Sequence, residues 1–188
     1  QHNPTPKGFE NGEGNAYINP LRDSKHGRIY RITYKGAKEY SPIDLDPSEG
    51  EDLLNGLKSD NMFWRTTAQR LIVENQNKDI LEGLYDLIQD ESVDEIGLNS
   101  PAVHALWTLH GLGELDGANQ EAMDVVIGAL SHPAIGVRKN ALRVLPANQG
   151  SMDAILASGL IQAEDLNLRK TALLTVSNLP ASAAMGQQ

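Results

Sequence analysis

The stretch VRKNALRVLP, Val137–Pro146, decides the fold, because its skeleton returns three more times: as WRTTAQRLI at Trp64–Ile72, PAVHALWTL at Pro101–Leu109 and LRKTALLTV at Leu168–Val176. Set in register on a central alanine, the copies place Ala68, Ala105, Ala141 and Ala172 at intervals of 37, 36 and 31 residues. Other segments carry further apolar patterns of helical spacing, such as Met123, Val126, Ile127 and Leu130. Two helices in every roughly 30 to 40 residues mark an α-solenoid. One pair is too thin to bury its own apolar stripe, so successive pairs stack and share a core. Alanine recurs because a small side chain lets neighbouring helices approach closely.

The pattern predicts an all-α fold, an α-α superhelix of about four antiparallel helix pairs: 48–58 with 61–75, 78–89 with 101–112, 118–130 with 134–147, and 151–161 with 165–178. Asp46-Pro47-Ser48-Glu49 offers an N-cap, a proline at the first helical position and a carboxylate at the third, so the first helix is expected to begin there. ASAAMGQQ, 181–188, reads as the start of a ninth helix.

The 188-residue chain is 40% hydrophobic but only 5% aromatic, and its lack of cysteine excludes disulfides, Cys-based zinc sites and a thiol nucleophile. No apolar run approaches the ~20 residues that span a bilayer, so no membrane insertion is expected. A start at Gln1 without a charged-then-apolar leader reads as a processed protein or an excised fragment, expected to be monomeric. Residues 1–40 carry seven basic and four acidic side chains, whereas 41–188 carry nine basic and 21 acidic. So acidic a body argues against nucleic acid or anionic membrane as a partner and leaves protein. The charge step and the onset of helical periodicity divide the chain into an N-terminal arm, 1–45, and a repeat domain, 46–188.

Arg65, Arg138 and Arg169 stand three residues before the alanine, and Asp60 and Asp165 four or five residues before Arg65 and Arg169. Period, arginine and alanine together resemble the HEAT-repeat, armadillo-like pattern over about 130 residues, in which such an arginine bridges to neighbouring turns. The second copy departs from it, with Ala102 in the arginine position after Ser100-Pro101, so its junction is expected to be looser or differently stapled. At about 100° per residue, the alanine, the residue after it (Gln69, Leu106, Leu142, Leu173) and the fourth after it (Ile72, Leu109, Leu145, Val176) share an inward arc. The opposite arc holds the residue before it (Thr67, His104, Asn140, Thr171), the second after (Arg70, Trp107, Arg143, Leu174) and the sixth after (Glu74, Gly111, Ala147, Asn178). Second helices of such stacks line the concave surface, so Arg70, His104, Trp107, Asn140 and Arg143 are the candidate partner-binding residues. Arg70, Trp107 and Arg143 make a cation–aromatic–cation row of the residue types enriched in binding hot spots. The alternative is that Trp107 packs beneath the arm and the arginines are merely solvated.

The arm opens with a Gly-, Asn- and Pro-rich stretch that reads as irregular loop. GRIYRITYKG, Gly27–Gly36, then alternates Tyr30, Ile32 and Tyr34 with Arg31 and Thr33 between glycines, predicting one short β-strand over 28–34. PTPKGFENGEGNAYINPLRDSKHGRIYRI, 4–32, followed by DNMFWRTTAQRLIVE, 60–74, resembles a family of very large secreted or periplasmic bacterial proteins with a sorbosone/glucose-dehydrogenase-like β-propeller. These are often described as membrane-bound dehydrogenase or multifunctional proteins. The resemblance is close over 4–36 and extends through Asn61, Trp64, Arg65, Ala68 and Gln69. It implies that the arm's strand closes a propeller, that HEAT-like repeats link the propeller to later domains, and that the location is periplasmic, secreted or cell-surface. Any quinone- or calcium-dependent sugar dehydrogenase activity would sit in the propeller blades. Arg22, Asp23 and His26 match the family's LRD…HGR stretch; they contact the propeller cavity or organise their own loop by a salt bridge.

Chemistry-bearing motifs are sparse. His104 and His110 are six apart, not the i, i+4 spacing that places two imidazoles on one metal, and His110 is expected at the core edge. QDESVDEIG, Gln89–Gly97, has four carboxylates without calcium-loop spacing and is expected to be a solvated turn. There is no GxSxG, SxxK or CxxCH, and the glycines of GFENGEGNAY do not follow a strand. No cofactor or metal is expected in this segment. The readings favour a non-catalytic scaffold or protein-interaction module, with an accessory part of a quinone-dependent sugar dehydrogenase as the alternative.

Overall fold

Asparagine and aspartate start most of the helices. The side chains of Asn61, Asn99, Asn119, Asn148 and Asp165 accept from the amides of Phe63, Ala102, Ala122, Ser151 and Leu168 at 2.7–3.0 Å. Each bond occupies a donor that the first helical turn leaves open. The computed structural model describes residues 7, 8, 10, 11, 17, 18, 25–27, 29–37 and 43–181. It divides into two units, Gln1–Ser41 and Pro42–Gln188.

In the second unit the described residues form α1 (Gly50–Leu57), α2 (Met62–Asn75), α3 (Leu81–Gln89), α4 (Ser100–Gly111), α5 (Gln120–Gly128), α6 (Ile135–Val144), α7 (Gln149–Ser158) and α8 (Leu166–Val176). Short 3-10 turns lie at Lys78–Ile80, Ala129–Ser131 and Leu160–Gln162. α2 packs on α4, α4 on α6 and α6 on α8, so the second helices form one continuous layer. α1 and α3 pair with α2 and α4, α3 packs on α5, and α5 and α7 join the stack largely through the 3-10 turns. This is the expected all-α superhelix of stacked pairs. α1 begins one turn late: Asp46 Oδ1 accepts from the Ser48 amide at 2.8 Å and the Ser48 hydroxyl at 2.7 Å, and the Glu49 amide donates to the Asp46 carbonyl at 3.1 Å, closing a single turn ahead of the helix. Glu49 precedes α1 without a side-chain cap.

The alanine column lies at the centre of the core, with Ala68, Ala105, Ala141 and Ala172 all 0% exposed. Its small size is needed at α1–α2, where a Cβ on Gly56 would lie 2.8 Å from that of Ala68. Leu106 and Leu142 are fully buried, but Leu173, at the same place in the repeat, is 50% exposed. The first two are roofed by the next second helix, and no described helix packs beyond α8.

The arginine column is not uniform. Arg65 Nη1 donates to the Ser59 carbonyl and Arg169 Nε to the Ala163 carbonyl, each reaching six residues back into the turn of its own pair. Arg138 Nε is buried without a partner. At that junction His132 bridges instead: Nδ1 accepts from the Ala134 amide at 2.9 Å and Nε2 donates to the Asp90 carbonyl at 3.0 Å. An amide can only donate and a carbonyl only accept, which fixes the tautomer. The junction lacking an arginine is differently stapled. Asn99 both caps α4 and donates to the Asp90 and Ser92 carbonyls at 2.7 and 2.9 Å.

In the first unit only residues 29–34 of the expected strand lie among the described residues. Residues 29–34 belong to no ladder, and Ile29, Tyr30, Ile32 and Tyr34 are exposed. A two-residue antiparallel ladder pairs β1 (Glu10–Asn11) with β2 (Tyr17–Ile18) instead. Alternation supplies a face for a strand but not the neighbouring edge that its amides and carbonyls require. Arg28 and the segment 182–188, where a ninth helix was expected, lie outside the described residues. Among the described residues no helix is long and apolar enough to cross a membrane.

Candidate functional site

Charge separates by layer. The first helices α1, α3, α5 and α7 carry Glu51, Asp52, Glu82, Asp86, Glu121, Asp124 and Asp153, all exposed, and no lysine or arginine. The second helices α2, α4, α6 and α8 carry Arg65, Arg70, Arg138, Lys139, Arg143, Arg169 and Lys170, against one carboxylate, Glu74. An acidic body thus has one comparatively basic layer. The arginines three residues before the alanine are half-buried, while Arg70, Arg143 and Lys170 are exposed.

The three residues of the cation–aromatic–cation row stand one per helix: Arg70 on α2, Trp107 on α4 and Arg143 on α6. Arg70 and Arg143 are exposed, and Trp107 is half-buried. Arg70 approaches Glu74 at 3.9 Å, both side chains remaining more than half exposed, an arrangement of little energetic consequence. Trp107 is held firmly, its Nε1 donating to Asn140 Oδ1 at 2.9 Å and its ring edge-on to His110 at 5.5 Å. His110, expected at the core edge, is exposed beside Trp107.

The residue before the alanine does not sit on the outward arc as expected. Thr171 is 8% exposed, and His104 and Asn140 are half-buried. Helices in one layer lie about 8–10 Å apart, so a side chain ~100° from the inward direction meets the adjacent helix rather than solvent. His104 Nδ1 accordingly donates to Gln69 Oε1 of α2 at 2.7 Å, and Asn140 receives Trp107 of α4. Burial, and secondarily the charge of Arg65, pulls the His104 pKa below its ordinary value, so the ring is neutral at pH 7. Of these residues, Asn140 fixes Trp107 of the row.

Two features were missed by sequence reasoning. A cleft of about 280 Å³ opens between α6 and α8, lined by Leu142, Arg143, Leu145, Thr171, Leu174 and Leu179. Its existence depends on how two helices splay, which no local pattern encodes. The layered charge was readable, but only by counting charges helix by helix rather than over stretches of chain. A larger cleft of about 700 Å³ on the first-helix side is lined by Gln89, Glu91, Glu121, Asp124 and His132. Both His132 nitrogens are engaged, and among the described residues no three His, Asp or Glu side chains gather as metal ligands. Past Gln89, which ends α3, residues 90–97 form a solvated turn, in which Asp94 Oδ1 accepts from the amides of Ile96 and Leu98. Arg22 and Asp23 lie outside the described residues, and His26 is exposed.

No protein-family model matches the chain, and no curated protein is detectably similar to it.

Proposed function

We propose that residues 46–188 are a HEAT-like, non-catalytic interaction module that docks a protein along the outward side of its second helices. One observation carries this reading: every lysine and arginine borne by a helix of this acidic body is on a single layer, around an indole fixed in place by the adjacent helix. Arginine and tryptophan are the residue types that dominate binding energy when a partner desolvates them. A rigid, partly exposed ring loses little entropy on binding. The family resemblance adds a setting, a large secreted or periplasmic protein in which the module links a propeller to later domains.

A photoreactive residue placed at Arg143, with Asp124 on the first-helix layer as control, tests the proposal. A discrete adduct from position 143 alone, lost on Trp107→Ala, is expected. Adducts in equal yield from both positions, or from neither, would count against it.

A second reading, support of sugar oxidation by residues 16–28, is favoured only by the LRD…HGR resemblance. Unchanged sugar oxidation by the full-length protein carrying Arg22→Ala and His26→Ala would remove it.

A further inference from the structure

We infer that the outward side of the second-helix layer takes an extended acidic polypeptide segment, one that sets carboxylates on Arg70 and Arg143 and an apolar side chain in the cleft between α6 and α8. This rests on the interaction-module reading and adds the chemistry of the partner.

Charge complementarity gives the sign. Of the second helices' charged residues, the exposed ones on α2, α6 and α8 are predominantly basic, while the first helices expose only carboxylates. An acidic segment is attracted to the former and turned away from the latter.

Spacing gives the form. Second helices about 8–10 Å apart place Arg70 and Arg143 roughly 20 Å apart, two steps along the layer. Between them α4 has no Lys, Arg, Asp or Glu and presents Trp107. A ligand that crosses the helices therefore needs carboxylates separated by about six extended residues and an uncharged stretch over the indole. A nucleic acid, with a phosphate on every nucleotide, would leave most of its charge unmatched here and would be repelled by the acidic body. Beyond Arg143 lies the cleft of about 280 Å³, whose wall combines the guanidinium with Leu142, Leu145 and the half-exposed Leu174. A cation on the rim of an aliphatic cleft fits an acidic residue followed by an aliphatic one.

The test uses the whole 188-residue chain and fluorescein-labelled peptides of about nine residues, enough to reach from α2 to α8 when extended. The peptides carry Glu, Gln or Lys at the first and seventh positions and Leu at the ninth, with uncharged residues between, and a short DNA duplex serves as a further probe. Binding is followed by fluorescence anisotropy, and the site by amide shifts of isotope-labelled protein. The Glu–Leu peptide is expected to shift amides of α4, α6 and α8 and to weaken about tenfold in the Arg70→Glu, Arg143→Glu double variant. Leu174→Glu should weaken it further, with the variants' melting temperatures unchanged. Equal binding of the Gln–Leu peptide at the same amides would overturn the acidic partner yet leave the interaction face standing. Equal binding of the duplex would replace the polypeptide by a polyanion. Indifference to both arginine reversals would move the site elsewhere. If no probe shifts these helices, the inference and the docking reading fall together.

Discussion

The indole of Trp107 and the side-chain amide of Asn140 lock α4 to α6 at the surface of the second-helix layer: Nε1 donates to Oδ1 at 2.9 Å, while Asn140 Nδ2 donates to the Gly136 carbonyl at 2.7 Å. Both ends of the Asn140 amide are used, so its orientation and that of the indole are set together. The same pair serves the core seam and the exposed face.

That pairing is measurable. Trp107→Phe and Asn140→Ala should each cost about 1 kcal/mol in urea denaturation, and the double variant less than their sum by about 0.5–1.5 kcal/mol. Additivity within error would mean that the bond contributes nothing.

Two neighbouring positions on α6 should behave oppositely. Ala141 is fully buried, so Ala141→Leu is expected to overpack the interface between pairs and cost about 1–3 kcal/mol. Arg143 is exposed, and Arg143→Glu should change stability by less than about 0.5 kcal/mol. Thermal melts of the two variants check the face assignment, and a reversal of the ranking would invert it.

The arginine column predicts a second contrast. Arg169→Met leaves the Ala163 carbonyl without its donor and should cost about 1–3 kcal/mol. Arg138→Met removes a buried nitrogen that has no partner and keeps an apolar stem, so it should be close to neutral. Equal losses in chemical denaturation would show that position in the repeat, rather than the bond, sets the energy.

Acid should loosen the stack in two stages. The folded pKa of His104 lies below its ordinary 6.5, because of burial and then Arg65, so the unfolded chain takes up the proton first as pH falls. Its contribution is present above 6.5 and declines below it. Glu114 is held below its ordinary 4.5 by hydrogen bonds from Asn119 and Lys78, the latter at 2.8 Å. That contribution is present above 4.5 and is lost as pH falls through the folded value. Urea midpoints against pH should flatten below 6.5 in His104→Gln and in the acid limb in Glu114→Gln, each without altering the other's stage.

Much of the helical unit was legible because its signals are local and repeated. The alanine register at Ala68, Ala105, Ala141 and Ala172 and the apolar spacing each act within a turn or two of one helix. Two expectations failed where a local signal did not decide the outcome. Asp46 makes a cap's bond to the Ser48 amide, but the turn it closes stops short of the helix, which begins at Gly50. The outward assignment of His104 and Asn140 treated each helix as isolated, and the next helix in the layer covers that flank.

The sequence by itself determined which segments are helical, which stripe of each is apolar and which helices carry acid or base, because these follow from side-chain chemistry and a fixed helical period. Only the tertiary structure decided that Asn99 and His132 converge on the Asp90 carbonyl, that Trp107 leans on Asn140, and that a cleft opens beside Arg143. Those outcomes depend on distances between residues tens of positions apart, set when neighbouring helices settle against one another.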